Sequence, residues 1–352
     1  TSDLTLGMNW QVSLNEQHSI TSGFELRESD LIEQKNQNNY ELLDFIDVII
    51  LGNAGTIAFY DEVIKTTDTA KITSRTVTGL YVQDEVHWQT NIVSTLGVRF
   101  DHYSDFGSTT NPRLALVWAA TDNITTKLLY GRAFRAPSIT ELFVISNPVA
   151  LGNPDIDPET IDTYELVLTQ HISPEFSYTA NVYRYQIKDY ILFVDTGLGT
   201  NQAQNTGERT GSGAEIEVDY QPLSNLRLLA NYAYQKSEDD DTDEDVGDAP
   251  NHQVYGRSEW EFMDTWHLDT QVNWVGKQKR VFGDTRSSLD DYTTMDVTLR
   301  KQKVLRNLEL KLSVRNIFDE DIFESSPGPT ASIPGDFPMA GRSLYGEAQY
   351  TF

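Results

Sequence analysis

Four aspartates occupy alternate positions in the stretch Asp239-Asp240-Asp241-Thr242-Asp243-Glu244-Asp245. Oxygen-rich clusters suit Ca²⁺, which takes carboxylate ligands. Asp239, Asp241, Asp243 and Asp245 are therefore candidate Ca²⁺ ligands in a loop. The stretch lacks the rest of a calcium loop, with no Gly at the turn position and no closing Glu. A solvated acidic loop is the simpler account. Catalytic constellations are poor. The six His residues form no His-x-x-x-His or His-Glu-x-x-His pair, and no Gly-x-Ser-x-Gly elbow occurs. Gly211-Ser212-Gly213 reads as a bend or bulge in a strand. Glu215, Glu217, Asp219 and Asp269 could pass for general acid–base pairs. They alternate with apolar neighbours and read instead as charges on one sheet face, balanced by Arg227, Lys311 and Arg315. No enzyme is expected.

The elements that carry these residues are strands. Leu4, Leu6, Met8, Trp10, Val12 and Leu14 alternate with Thr5, Gly7, Asn9, Gln11 and Ser13. That is period two, with no helical periodicity. A second segment carries Ile20, Ser22, Phe24 and Leu26 on one side, and a long polar stretch follows from Asp30 to Arg75, interrupted by the apolar run 45–51. The alternation then resumes over 76–88, 92–104, 111–121, 124–135, 160–172, 176–193, 205–222, 226–238, 252–263, 267–280, 292–304, 308–321 and 341–352. The total is about fifteen strands.

The connections sort into two sets. Short ones fall at 15–18, 89–91, 122–123, 173–175, 223–225, 264–266 and 305–307. Long polar ones fall at 30–75, 105–110, 136–159, 194–204, 239–251, 281–291 and 322–340. A soluble sandwich has no reason to sort its loops this way, whereas transmembrane barrels have short periplasmic turns and long outer loops. Many segments are also long enough for a tilted membrane crossing. A charged interior is costly in a narrow soluble core and cheap in a wide water-filled lumen. The six Trp lie near strand ends or on apolar faces, where interfacial girdles sit. The expected fold is all-β, a transmembrane antiparallel β-barrel.

Composition agrees by exclusion. Of 352 residues, 27 are basic and 53 acidic, giving a net charge of −26. Nucleic-acid binders need a basic footprint, so no nucleic-acid partner is expected. Cysteine is absent, which removes disulfides and thiolate metal sites. No apolar run reaches the length of a membrane helix.

The last strand follows the long stretch 322–340, so it descends from outside and ends in the periplasm. Leu344, Gly346, Ala348, Tyr350 and Phe352 share its apolar face. Segment 4–14 also descends, so an odd number of strands is expected before it. The start, with no initiator Met and no signal sequence, reads as a truncation or processing point.

Local sequences add a family. They include Gly79-Leu80-Tyr81-Val82-Gln83-Asp84-Glu85, Leu96-Gly97-Val98-Arg99-Phe100-Asp101 and Asn111-Pro112-Arg113. The most specific is Tyr130-Gly131-Arg132-Ala133-Phe134-Arg135-Ala136-Pro137, followed by Glu141-Leu142-Phe143. Then come Gly152-Asn153-Pro154-Asp155-Ile156, Pro158-Glu159, Tyr164-Glu165, Tyr185, Ile187-Lys188-Asp189, Ala203-Gln204-Asn205, Gly211 to Glu217, Val314-Arg315-Asn316-Ile317-Phe318-Asp319, and Gly341 to Phe352. In order and spacing this set resembles the C-terminal barrel of TonB-dependent outer-membrane receptors.

The resemblance implies a plugged barrel of about 22 strands, of which the last fifteen or so would be present here. The whole chain, 1–352, would then be one partial barrel domain, without plug or TonB-contacting segment. It also implies a Gram-negative outer-membrane location and active uptake of a scarce nutrient such as a ferric siderophore or cobalamin. The implied partners are the TonB–ExbB–ExbD complex, the barrel-assembly machinery, outer-membrane lipid and a small metal-chelate or vitamin ligand. Tyr350 and Phe352 would form the assembly signal. The stretch from Asn153 to Glu159 reads as structural because its prolines fix extended backbone. Arg132, on the outward register near the outer rim, is expected to reach headgroups. Ligand contacts would come from outer loops and aromatics such as Tyr103 and Phe106. The alternatives are a passive channel or barrel adhesin without energy coupling, and a barrel-embedded hydrolase, which the missing nucleophile–base pair argues against.

Overall fold

The computed structural model describes residues 2–30, 35–38, 40–42, 57–59, 65–68, 74–144, 150–197, 201–281, 284–326 and 335–352. The apolar run 45–51 lies outside them. One antiparallel sheet dominates. Its strands are β1 (Ser2–Ser13), β2 (His18–Asp30), β3 (Ser74–Gln89), β4 (Ile92–Tyr103), β5 (Gly107–Thr121) and β6 (Ile124–Arg135). It continues through β7 (Glu159–Ser173), β8 (Phe176–Lys188), β9 (Arg209–Leu223), β10 (Leu226–Asp239) and β11 (His252–Met263). It ends with β12 (Trp266–Val275), β13 (Tyr292–Leu305), β14 (Leu308–Arg315) and β15 (Ser343–Tyr350). Each pairs with the next in chain order, so the path is an uninterrupted meander. A short strand, Glu244–Asp245, adds to the end of β10.

Register follows the alternation. Leu128 faces Leu116 on one side and Leu166 on the other, and Ile216 faces Ala180 and Tyr232. Apolar side chains thus form continuous rows across the sheet, and they point away from the protein. Leu4 is 71% exposed and Leu344 68%. Among the described residues few hydrophobic side chains are buried, and four of them form one small cluster. An apolar surface this wide cannot face water in a monomer; it fits the lipid-facing side of the membrane barrel that the sequence leads one to expect.

The sequence reading is corrected in six places, the first being the strand expected over 267–280, which stops at Val275. The long loop expected at 105–110 is a three-residue turn, because Gly107 takes φ +105° and strand pairing begins there. The single strand expected over 176–193 is two. It breaks at Asp189, which adopts φ 56°, and Ile191–Asp195 pairs with Asn201–Asn205 in a separate small sheet. The strand expected over 205–222 divides likewise. Its first residue ends that small sheet, and β9 begins at Arg209. The strand expected over 308–321 stops at Arg315, since Asn316 and Asp319 both turn left-handed. A short helix, α1 (Ile139–Phe143), appears where loop was expected.

The tryptophans are distributed unevenly. Trp10, Trp88, Trp118, Trp260 and Trp266 lie within a few residues of the short turns. Trp274 alone lies beside a long loop.

Candidate functional site

The wall face opposite the lipid carries the charges. Arg227 donates to Asp219 from Nε at 3.0 Å. Lys311 pairs with Glu347 at 3.0 Å and Glu309 at 3.5 Å. Asp269 is paired by Arg257, 3.4 Å away, which also holds Glu259 at 2.8 Å. Arg257 is the partner the sequence reading missed. Among the described residues Arg315 has no carboxylate partner; its guanidinium lies over the Tyr345 ring at 5.1 Å. Glu215 and Glu217 line a recess with Asn181 and Asn231 and make no ion pair among the described residues. Farther along, Arg99 donates from Nη2 to Asp101 at 2.7 Å and to Glu25 at 3.3 Å.

Close packing on this face depends on missing side chains. The Tyr81 ring lies across Gly23, where a Cβ would come within 2.5 Å of it. Tyr185 covers Gly211 and Tyr183 covers Gly213 in the same manner. Gly-x-Gly at 211–213 is therefore a seat for two neighbouring tyrosines. Among the described residues no base hydrogen-bonds to Ser212, which stands opposite Arg184.

At the loop end of β6 and β7 sits a small folded cap. Ser138 caps α1, and Glu141 closes the capping box. Such reciprocal bonds satisfy the free amides of a helix start. Arg135 donates to Glu159 at 2.7 Å and to Glu141 at 3.0 Å. Burial raises the Glu141 pKa, but the bonds from Arg135 and Ser138 outweigh it and hold the group below the usual carboxylate range. Glu159 also accepts the Ile191 amide at 2.8 Å. Asn205 accepts the Asp157 amide and donates to the carbonyls of Asp157 and Asp189. Beneath lie Leu142, Ile156, Ile191 and Ala203. The 153–159 stretch and Ala203-Gln204-Asn205 are thus two halves of one structural joint.

Tyr103 and Phe106 belong to the same region. Tyr103 is 8% exposed, its ring 4.4 Å from Phe106. Arg75 lies over both rings, donates to Asp105 at 2.6 Å and reaches the Pro137 carbonyl at 2.8 Å. Both aromatics are packed into this joint. Arg132 is likewise committed. Its Nε and Nη2 meet Asp162 at 2.9 and 2.8 Å, and Tyr130 donates to the same carboxylate.

The loops beyond β10, β12 and β14 are tied by charge. Arg280 grips Asp336 at 2.8 and 2.7 Å. Arg286 holds Asp284 and donates to the Ser326 hydroxyl and carbonyl. Hydrogen bonds from Arg280 pull the Asp336 pKa down to about 2, and those from Arg286 do the same for Asp284. Lys279 reaches Asp245 at 3.0 Å, and the Asp248 amide donates to the Lys279 carbonyl. This network joins residues far apart in sequence, and no local pattern announces it.

The four aspartates of the acidic loop do not converge. Asp239 accepts the amides of Asp241 and Thr242, each at 3.2 Å. Asp245 accepts the Gly247 amide and Lys279. Asp241 leans over Gly207, and Asp243 occupies a left-handed turn position. Among the described residues no three metal-ligating side chains come together. At the other end of the sheet, Tyr350 and Phe352 are exposed, their rings 5.1 Å apart and edge-on.

Comparison with known proteins supplies a context. Residues 1–317 match the family described as TonB dependent receptor-like, beta-barrel. The chain is 25% identical over 321 residues to the ferric enterobactin receptor of Pseudomonas aeruginosa, covering 79% of this chain and 42% of that protein. It is 26% identical over 270 residues to the heme/hemopexin utilization protein C of Haemophilus influenzae, covering 63% and 37%. A crystal structure of a mutant of that Pseudomonas receptor with enterobactin superposes with TM-score 0.77 at 22% identity, over 99% of this chain and 54% of the other. The chain therefore spans about half the length, or less, of the proteins it matches.

Proposed function

The chain belongs to the TonB-dependent receptor β-barrel family, and from that premise we propose that it forms barrel wall in a receptor for active uptake of a scarce nutrient. The cargo class is a metal chelate or vitamin too large for porins, such as a ferric siderophore or cobalamin. The energy source is the TonB–ExbB–ExbD complex. The observation that carries this reading is the uninterrupted meander, apolar on the lipid side and charged inside, matching a siderophore receptor along almost the whole chain. The family consists of transporters and receptors, not enzymes.

Uptake needs a wall that is rigid and a mouth that is shaped. The glycine–tyrosine seats and paired lumenal charges make the first. The joint around Glu159 and the Arg280–Asp336 network fix the bases of the outer loops, from which ligand contacts would come.

The test is uptake of radiolabelled ferric chelates and cobalamin by cells producing the receptor that carries this chain, with TonB present or deleted. Accumulation against a gradient that disappears without TonB is the expected result. Entry that is slow, non-saturable and unchanged by TonB deletion would instead establish a passive channel.

A further inference from the structure

The segment Arg300-Lys301-Gln302-Lys303-Val304-Leu305-Arg306 reverses the charge of the chain. It holds four of the 27 basic residues and no acidic one, in a protein with 53 acids. It lies at the end of β13, beside a short turn, which is the periplasmic rim of an outer-membrane barrel. Arg300 faces the lumen, level with His267 and Lys311. The other three cations belong to the lipid side or the rim. Lys303 and Arg306 are exposed and make no ion pair or hydrogen bond among the described residues. Lys301 has no carboxylate partner either. Its ammonium sits 4.9 Å from the centre of the Trp266 ring and donates to the Thr265 hydroxyl at 2.5 Å. Elsewhere on the wall the basic side chains mostly have carboxylates, so three unpaired cations together need another counter-charge.

A groove of about 670 Å³ runs from this cluster along the outer surface. Trp266, Lys301, Lys303, Gly346 and Ala348 line it, and so do Lys311 and Glu347, which neutralise each other at 3.0 Å. Its depth comes from a mismatch in side-chain size. Leu310 stands opposite Ala348 and Leu312 opposite Gly346, so one bank is tall and the other low. A Cβ placed on Gly346 would meet nothing within 4 Å. The bulge between Lys301 and Leu305, with Lys303 at φ 51°, sets Lys303 and Val304 at the groove's mouth.

We propose that this groove binds one anionic phospholipid of the periplasmic leaflet. An acyl chain lies in the trough over Gly346 and Ala348, and the phosphate meets Lys301, Lys303 and Arg306. Charge complementarity selects the occupant, because an apolar trough ending in unpaired cations matches a lipid with an acidic head. Basic side chains near an anionic lipid surface contribute about fivefold in affinity each.

Native mass spectrometry of the detergent-purified receptor carrying this chain tests it, with phosphatidylglycerol, phosphatidylcholine or inorganic phosphate added. The expected result is at least a tenfold preference in retention for phosphatidylglycerol over phosphatidylcholine. Lys301→Gln/Lys303→Gln/Arg306→Gln should abolish the preference, and inorganic phosphate alone should not be retained. Gly346→Phe fills the trough without touching a charge and should lower retention of both lipids. Heat-modifiable mobility on gels checks that each variant folds; if the triple variant does not, Gly346→Phe decides. Equal retention of the two lipids, an unchanged triple variant, or an unchanged Gly346→Phe would overturn the proposal. So would loss of a co-purifying periplasmic protein in the triple variant with lipid retention intact. TonB-dependent uptake is measured separately and stands or falls independently.

Discussion

Arg280 and Asp336 are 56 positions apart and close on each other as a two-pronged ion pair, with Arg280 only 6% exposed. One residue follows β12 and the other precedes β15, so the pair spans the intervening β13–β14 hairpin. Bidentate geometry makes it one of the stronger contacts available to an outer loop. Arg280→Ala should leave the Asp336 carboxylate without its main partner, at a local cost of about 1–3 kcal/mol. Hydrogen exchange should speed up in 276–281 and 335–341 while the β13–β14 amides stay protected. Unchanged exchange in both loops would mean that the pair contributes nothing.

The same pair sets an acid limit. Asp336 has its pKa lowered from 3.8 to about 2 in the folded loop. A depressed carboxylate stabilises the fold above its unfolded pKa and loses that contribution as pH falls through the folded value. The loops should therefore stay tied at pH 5 and loosen between roughly pH 4 and 2. Limited proteolysis with an acid-active protease across that range reads the transition. Asp336→Asn should abolish this step and leave the loop loose throughout.

Gly23 and Tyr81 make a prediction about the wall. A Cβ at Gly23 would meet the Tyr81 ring at 2.5 Å. Gly23→Val should strain the β2–β3 pairing by about 1–3 kcal/mol, the usual cost of overpacking. Tyr81→Ala should remove most of that strain when combined with it. A double-mutant cycle on urea unfolding of the refolded receptor measures the coupling; additivity would refute the contact.

Phe352 is exposed and edge-on to Tyr350. It lies beyond the end of β15 and makes no buried contact with the sheet. Deleting Phe352 should lower the outer-membrane level of the receptor severalfold while leaving transcript unchanged. Undiminished heat-modifiable barrel in membrane fractions would show that it is not an assembly signal.

The acidic loop predicts a weak metal response. Asp239 and Asp245 already accept backbone amides. Calorimetric titration with Ca²⁺ should therefore give no saturable heat below millimolar ion. Saturable binding lost in Asp241→Asn/Asp243→Asn would restore the calcium reading.

Strand existence, order and facing were legible because the side-chain period of a strand is fixed by its geometry. Leu6 and Met8 share one side of the alternation, as do Phe24 and Leu26, and on the sheet Leu6 stands opposite Leu26 and Met8 opposite Phe24. The breaks were less legible. Asp189 and Asn316 end strands through left-handed backbone, which Asp and Asn tolerate but do not require. The ion pairs were least legible. Arg257 and Arg315 sit in similar strand contexts, yet one binds two carboxylates and the other a tyrosine ring. Arg257 takes one partner from its own strand and the other diagonally from β12, and the diagonal partner depends on the neighbouring strand's register.

The uneven placement of tryptophan has an optical consequence. Five of the chain's six indoles lie at the short-turn end of the sheet, and only Trp274 lies at the other. Intrinsic emission from this barrel wall is then dominated by one leaflet. Brominated lipid introduced into the periplasmic leaflet should quench most of this chain's signal, and the same lipid in the outer leaflet should dim little beyond Trp274. The wall carries its own orientation gauge, which reports which way round it has entered a membrane.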